Sequence, residues 1–572
     1  MKQCILPAAA LCGVLACALA SASPREDILA RGNGPEPSTL DAQRCQEVAC
    51  ENVLRDLYEG LVAEAADGSV IPGMAQRWET SADGLTWTFH LRDGLHWSNG
   101  QALDAPQIVA SFRRAFAPMT AAPFAESLFA IHAAQAVQEG KQPASALGVE
   151  APDARTLVFH LDRPVPLLRL LLLPIADPVY LPAVQRWGAQ HTRPGHLVSN
   201  GAYQLADWLP QASITLTRNP YFRQPAPIPK VRYLVTEDAG SELARYQAGD
   251  LDLTETLPPQ PLAGLRARFG TQLRISPYLG AFWFGFNVSK APLGVDGRSG
   301  SCPTSMPAVI GVTMTADRGV AAAPRTRTSL SSAPASDCHR ALALRQALSL
   351  AIDREKLTTY LTGFGETPAF TIVPPLPGYT PPDIAAAHWT QAQRERQAQR
   401  LFAQAGYSRE NPPTLELRFN TSVLHRRLAL AVAAMWNETL GVRVRLRNEE
   451  WKAFVLNRKQ RVITQVFRGG WIADVADARD FLAAFASDGP LNWTGWRDPG
   501  FDALLARADA SADAHARNGL LAQAEAHLLA AQPLVPLYFY TSKHLVKPWV
   551  AGYLANPLDH HPSRFLFWKD LP

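Results

Sequence analysis

Arg468-Gly-Gly-Trp-Ile-Ala-Asp474 is the stretch on which the reading of this chain turns. A β-rich run, 462–467, leads into it, and Asp480 lies just beyond. Two glycines permit unusual backbone angles or the close approach of another chain. A cation, a large aromatic and, three residues later, a carboxylate held on a short turn could grip something zwitterionic. Taken alone, the stretch reads more readily as a strand end with a core tryptophan and solvated charges. Its surroundings have to decide.

Those surroundings alternate helix and strand. Leu342, Leu344, Ala347, Leu348, Ala351 and Ile352 share one helical face. A second helix is predicted over 390–405, with Gly406 as its stop. Leu415-Glu-Leu-Arg-Phe419 alternates as a strand. A helix over 423–440 ends at Gly441, and 442–446 returns as a strand. A helix over 450–457 then enters the opening stretch. Further on come a helix over 519–530 and a buried strand over 534–540. This is an α/β domain.

The first half has a different texture. Apolar spacing predicts a helix over 52–61. Leu85-Thr-Trp-Thr-Phe-His-Leu-Arg92 alternates as a half-buried strand between turn signals at Ser81-Ala-Asp-Gly84 and Asp93-Gly94. Asp104 and Pro106 mark a helix start, and 156–161 is a strand. The strand 231–235, a helix over 239–248 and a strand over 250–253 form a second α/β unit. Residues 279–287 are aromatic and apolar, suited to a central strand or a domain crossover. Residues 295–336, rich in Ser, Ala, Thr, Pro and Arg, read as a surface insertion.

The chain has 572 residues, 47% hydrophobic and 19% charged, which allows two or three packed domains. A net charge of +4 gives no argument for nucleic acid or another acidic polymer as partner. Residues 1–22 read as a cleaved secretory leader: Lys2, an apolar run over 5–20, then small-residue cleavage signals. Val14-Leu15-Ala16-Cys17 offers a rival lipoprotein processing site, with Cys17 as the lipid anchor. Cys45, Cys50, Cys302 and Cys338 remain in the exported chain. Three pairings are possible. Cys45–Cys50 and Cys302–Cys338 are expected, because each pair brackets one local segment. Zinc is the weaker alternative, since neither pair has CxxC spacing and only His339 sits beside one of them.

Several segments follow one pattern in order. Trp87-Thr-Phe-His-Leu-Arg92, Trp97-Ser-Asn-Gly100, Asn200-Gly-Ala-Tyr203, Asn219-Pro-Tyr221, Ala347-Leu-Ser-Leu-Ala-Ile-Asp-Arg354 and Gly469-Gly-Trp471 with Asp474 resemble the family 5 extracellular solute-binding proteins. Val546-Lys-Pro-Trp549 resembles the oligopeptide-binding branch. The resemblance covers nearly all of the mature chain; the insertion is its main departure.

That resemblance implies a two-lobed α/β periplasmic-binding-protein fold of class II, with a hinge and an extra N-terminal subdomain. Residues 23–49, 186–279 and 538–572 would form lobe I, with 50–185 inserted in it. Residues 280–537 would form lobe II and carry the insertion 294–339. The implied role is periplasmic capture of oligopeptides for an ABC permease in the inner membrane. The protein would be a monomer, with no cofactor, no metal and no nucleic acid. Murein peptides or other small solutes, and a chaperone or sensor role, are the alternatives. No GxSxG or HExxH motif points to an enzyme.

Residue by residue, Asp474 matches the carboxylate that takes the peptide α-ammonium. Trp471 and Trp451 match pocket walls, and Tyr540 another pocket contact. Gly470 leaves room for a ligand backbone. Arg468, Arg458 and His425 match cations that meet the peptide carboxylate. This chain has one extra residue before Arg468, so Lys459 or Arg461 could replace Arg458. Val48 matches a backbone contact. Gln46 stands where a well-known relative has glutamate, and Phe124 where it has tyrosine. Val475-Ala-Asp477 replaces a segment that usually carries Tyr and Pro. Cys45 and Cys50 flank Gln46 and Val48, so a local disulfide would shape this wall.

Overall fold

The alternating segments become strands of three sheets in a computed structural model, which describes residues 27–258, 260–295, 312–313, 335–461, 465–489, 491–511 and 513–569. The expected leader, Cys17, Cys302 and most of the insertion lie outside these residues. So does the Cys302–Cys338 pairing. Of the insertion, Val312–Thr313 pairs antiparallel with Asp383–Ile384.

One four-stranded sheet has the order Ile28–Gly32, Lys230–Leu234, Ser213–Arg218, Tyr203–Leu209. Its first pair is parallel, with Leu29 opposite Val231. Leu29, Tyr203 and Tyr233 pack there with Val546 and Leu566, so N-terminal, middle and C-terminal segments share one core. A second sheet joins Ala75–Thr80, Thr86–Leu91, Thr156–His160 and Val149–Asp153. It packs against the helix Ala105–Ala115 through Ile108, Val109 and Phe112. That helix starts as predicted: the Asp104 side chain accepts from the Gln107 N–H in a capping box, with Pro106 in the first turn.

The third sheet has six strands. Thr367–Pro368, Leu534–Leu545, Leu273–Phe286, Val466–Ile472, Thr414–Asn420 and Arg443–Glu449 lie in that order. Its core holds Phe282, Phe284, Leu417, Trp436 and Leu537. Arg354, 1% exposed, ties this core together. It donates to the carbonyls of Ala369 (2.9 Å), Pro536 (2.8 Å) and Ser349 (3.1 Å).

Leu273–Phe286 and Leu534–Leu545 do more than sit in the sheet. Leu273, Ile275 and Leu545 pack with Leu243, Tyr246 and Phe269 beside the first sheet. The far halves, with Phe282 and Val535, enter the second-lobe core. The register between the two strands shifts between Pro277 and Ala281. Two lobes are therefore joined by a paired ribbon that changes register where it crosses. The 279–287 segment is both central strand and crossover.

Three expectations need correction. The first helix is Val48–Leu57, not 52–61: Tyr58 turns extended (φ −124°, ψ 158°) and leads the chain out. Residues 250–253 form no strand; Leu253 makes single bridges to Arg31 and Val546. The opening stretch is not a turn as far as Ile472, because Val466–Ile472 is a regular strand.

Candidate functional site

Strand register sorts the opening stretch into two faces. Arg468 lies opposite Phe284, Gly470 opposite Phe282 and Ile472 opposite Gly280, without a bulge. Side chains alternate along a strand. Arg468, Gly470 and Ile472 therefore share one face, and Gly469 and Trp471 the other. The glycines serve close approach. A Cβ at Gly470 would lie 2.9 Å from Tyr540 Oη and 3.1 Å from Arg468 Nη2. A Cβ at Gly469 would lie 2.1 Å from the Trp283 indole nitrogen.

On the first face, cations gather. Arg468 Nη2 donates to Tyr540 Oη at 3.4 Å, and its guanidinium sits 5.3 Å from the Phe282 ring centre. Arg458, on the helix Trp451–Gln460, donates from Nη1 to the Arg468 carbonyl at 3.4 Å. It lies 3.4 Å from the Trp493 ring centre. Arg458 is 6% exposed, whereas Lys459 is exposed, so it is Arg458 that stands beside Arg468. Among the described residues, no carboxylate pairs with either guanidinium, and the Nε of each is buried without a partner. Burial, then Arg468, pushes the Arg458 pKa down to about 9.

His425 packs 5.5 Å from Phe282, with Nδ1 2.9 Å from Asn420 Oδ1. Burial and the Arg468 charge push its pKa down to about 3. Both effects favour the neutral imidazole in the absence of ligand. Trp451, 49% exposed, lies tilted against Phe454 with ring centres 6.2 Å apart.

The other face leads to the anion. Trp471 Nε1 donates to Asp480 Oδ2 at 2.7 Å, and the Asp474 N–H donates to the same oxygen at 3.1 Å. Asp480 is thus held by donors, while the Asp474 side chain has neither donor nor cation among the described residues. Burial first, then Asp480 and Glu51, holds the Asp474 carboxyl well above the usual carboxylate range.

Asp474 opens onto a cavity of about 340 Å³ between the lobes. The structure brings Gln46, Val48 and Phe124 to this cavity, together with Ile472 and Val475. Arg468, Arg458, His425, Trp451, Trp471, Gly470 and Tyr540 are not among its lining residues. Cys45 and Cys50 form a disulfide at the start of the Val48–Leu57 helix, with Gln46 and Val48 between them. Sequence reasoning missed Glu64, Glu255, Asp559 and His560, which also line the cavity. Only the run Asp559-His-His561 carried a visible signal.

Among the described residues, one group could hold a metal ion: His544, Asp559 and His561, whose ligand atoms lie within 4.8 Å of one another. Hydrogen bonding accounts for it without metal. His544 Nδ1 meets the Thr254 carbonyl at 2.8 Å, and its Nε2 meets Asp559 at 2.8 Å. Asp559 raises the His544 pKa to about 9 against the effect of burial, which makes an imidazolium–carboxylate pair. Among the described residues, no helix is long and apolar enough to cross a membrane.

Two lobes on a paired ribbon, with a charged cleft between them, define a hinged solute-binding protein. Residues 69–493 match the family of bacterial extracellular solute-binding proteins, family 5 (Middle). The chain belongs to that family. It is 34% identical to the periplasmic oligopeptide-binding protein OppA of Salmonella typhimurium, over 98% of this chain and 97% of that one. The solved Escherichia coli murein tripeptide binding protein MppA is similar at TM-score 0.77, with 32% identity, covering 95% of this chain and 98% of that one. Haemophilus influenzae OppA in complex with RPPGFSPFR is similar at TM-score 0.75, with 31% identity, covering 95% and 99%.

Proposed function

We propose that this protein is the periplasmic binding component of an ABC importer, enclosing oligopeptides between its lobes and handing them to an inner-membrane permease. One observation carries the reading. A half-buried carboxylate without a cation, Asp474, lies just past the end of the strand that carries Arg468, and Arg468 and the buried Arg458 on the neighbouring helix are guanidiniums without a carboxylate among the described residues. Six residues of extended chain separate Asp474 from Arg468, at most about 20 Å. A zwitterion with its charges at two ends, an extended peptide, supplies what both poles lack.

The chemistry divides accordingly. Asp474 takes the α-ammonium, since a buried charge needs an opposite partner. Arg468 and Arg458 take the α-carboxylate, for which the guanidinium fork is shaped. Backbone pairing in the closed cleft would read length and direction rather than side chains. Tyr540 and Phe282 pack around the carboxylate end; Gln46, Val48 and Phe124 wall the amine end. The protein acts as a monomer.

Mass spectrometry of ligands released from the purified protein tests this. Short peptides with free termini are expected; a eluate of metal, haem or sterol and no peptide would overturn it.

A further inference from the structure

We infer that the segment 557–559 is the pin on which the two lobes turn, and that His544, which holds this pin, is a positioning residue for ligand capture. The inference rests on the reading that peptide is enclosed between the lobes.

The paired ribbon breaks register between Pro277 and Ala281, where it crosses from one lobe to the other. A buried backbone group that loses its ladder partner needs another. Leu279, 2% exposed, lies inside the break. Its N–H donates to the Pro557 carbonyl at 2.8 Å, and its carbonyl accepts from the Ala473 N–H at 2.8 Å. Ala473 directly precedes Asp474. The crossover is thus bonded on one side to the C-terminal segment and on the other to the loop that carries the carboxylate.

Leu558 fills the pivot. It is 7% exposed and packs in a second-lobe core with Leu279, Trp283 and Ala473. The residues on either side stay with the first lobe. Asn556 Nδ2 donates to the Ala66 carbonyl at 3.3 Å, and Arg31 Nη1 to the His561 carbonyl at 2.7 Å. The segment is therefore a third link between the lobes, placed where the other two change register.

His544 fastens this link. Its Nδ1 lies 2.8 Å from the Thr254 carbonyl, and its Nε2 lies 2.8 Å from Asp559 Oδ2. A carbonyl and a carboxylate only accept, so both ring nitrogens carry protons and the bond to Asp559 is charge-assisted. Asp559 takes a left-handed backbone (φ 59°), which persists only where its surroundings fix it. His544 belongs to the strand Leu534–Leu545, so one strand of the ribbon grips the segment that bonds the other. Unlike Leu558 and Asp559, His544 does not line the cavity. It acts on the ligand only through the pivot. A loose pivot widens the range of lobe positions that closure must gather, which lowers affinity without the loss of a ligand contact.

Hydrogen exchange of the full-length protein, read by mass spectrometry, and isothermal titration with tetra-alanine test this on wild type and His544→Gln. Glutamine keeps one donor and removes the charge. The segments that hold the Leu279 and Ala473 amides are expected to exchange at least about 10-fold faster in the variant, with the strand Thr414–Asn420 unchanged. Tetra-alanine is expected to bind about 5-fold more weakly. Circular dichroism checks folding. Leu558→Ala empties the pivot and keeps the His544 pair; it should show the same faster exchange, and it serves if His544→Gln does not fold. Unchanged exchange at Leu279 and Ala473 overturns the pin. Faster exchange with affinity within about twofold of wild type overturns the positioning role. Failure of wild type to bind tetra-alanine overturns the peptide reading instead, and the exchange comparison still decides the pin.

Discussion

Arg169 donates from Nη1 to the carbonyl of Ala476 at 2.7 Å, joining the two lobes two residues beyond Asp474. The residue between, Val475, is 6% exposed and buries its side chain in the core around Leu171 and Leu173 of the first lobe. Arg163 reaches Asp509 across the same divide at 3.5 Å, and Asp509 is held from its own lobe by Arg479 at 3.1 Å. The loop that carries Asp474 is thus fastened by the opposite lobe. Under the proposed role of Asp474, the lobe contact and the amine site share one loop.

Loss of this clasp should weaken binding without touching either ligand terminus. Arg169→Gln removes one partly exposed bond, worth about 1 kcal/mol, or about fivefold in affinity. The loss should appear as faster dissociation in stopped-flow traces, with little change in the association rate.

Binding should release a proton. Burial raises Asp480 against the pull of the Trp471 and Asp474 N–H donors, and burial beside Asp480 and Glu51 holds Asp474 above the usual carboxylate range. Asp474 therefore carries a proton at mildly acid pH when no peptide is bound, and must lose it to pair with an ammonium. Affinity should rise with pH up to the raised Asp474 pKa and then level off. Calorimetry in buffers of different ionisation enthalpy measures the released proton directly.

The carboxylate end is tested by ligand chemistry. Arg468→Gln removes a half-buried fork whose side-chain hydrogen-bond partner is Tyr540 at 3.4 Å. Peptides with a free C-terminus should bind at least about 10-fold more weakly, as for a charge-assisted bond. C-terminal amides should be affected far less. An equal loss for acids and amides in competition titration would detach Arg468 from the carboxylate.

Stability hangs on a different arginine. Arg354→Met leaves the carbonyls of Ala369, Pro536 and Ser349 without their donor inside the second-lobe core. The expected loss is about 3 kcal/mol, read from the midpoint of chemical unfolding. Peptide affinity of the folded fraction should be unchanged.

Much of this architecture was legible because local rules were kept. Asp104 with Gln107 and Thr390 with Gln393 form capping boxes, and Gly441 ends the Val423–Leu440 helix in a left-handed conformation. The first helix was misplaced because its N-cap, Glu47, makes no side-chain cap bond and its apolar spacing runs on past Leu57 into the extended chain at Tyr58. The faces of Val466–Ile472 were hidden because two glycines interrupt the alternation that marks a buried side. Burial lowers the His425 pKa, and burial cannot be read from residue type. Glu64, Glu255 and His560 gained meaning only when folding brought residues 46 to 560 around one cavity.

The central claim is that Asp474 takes the peptide amine. Titration of wild type and Asp474→Ala with tetra-alanine and its N-acetyl derivative tests it most directly. Wild type should strongly prefer the free amine. Asp474→Ala should lose about 3 kcal/mol or more toward tetra-alanine, as when one partner of a buried pair is removed, and should no longer distinguish the two ligands. Unchanged affinity of Asp474→Ala for tetra-alanine, with the preference for the free amine intact, would contradict the account.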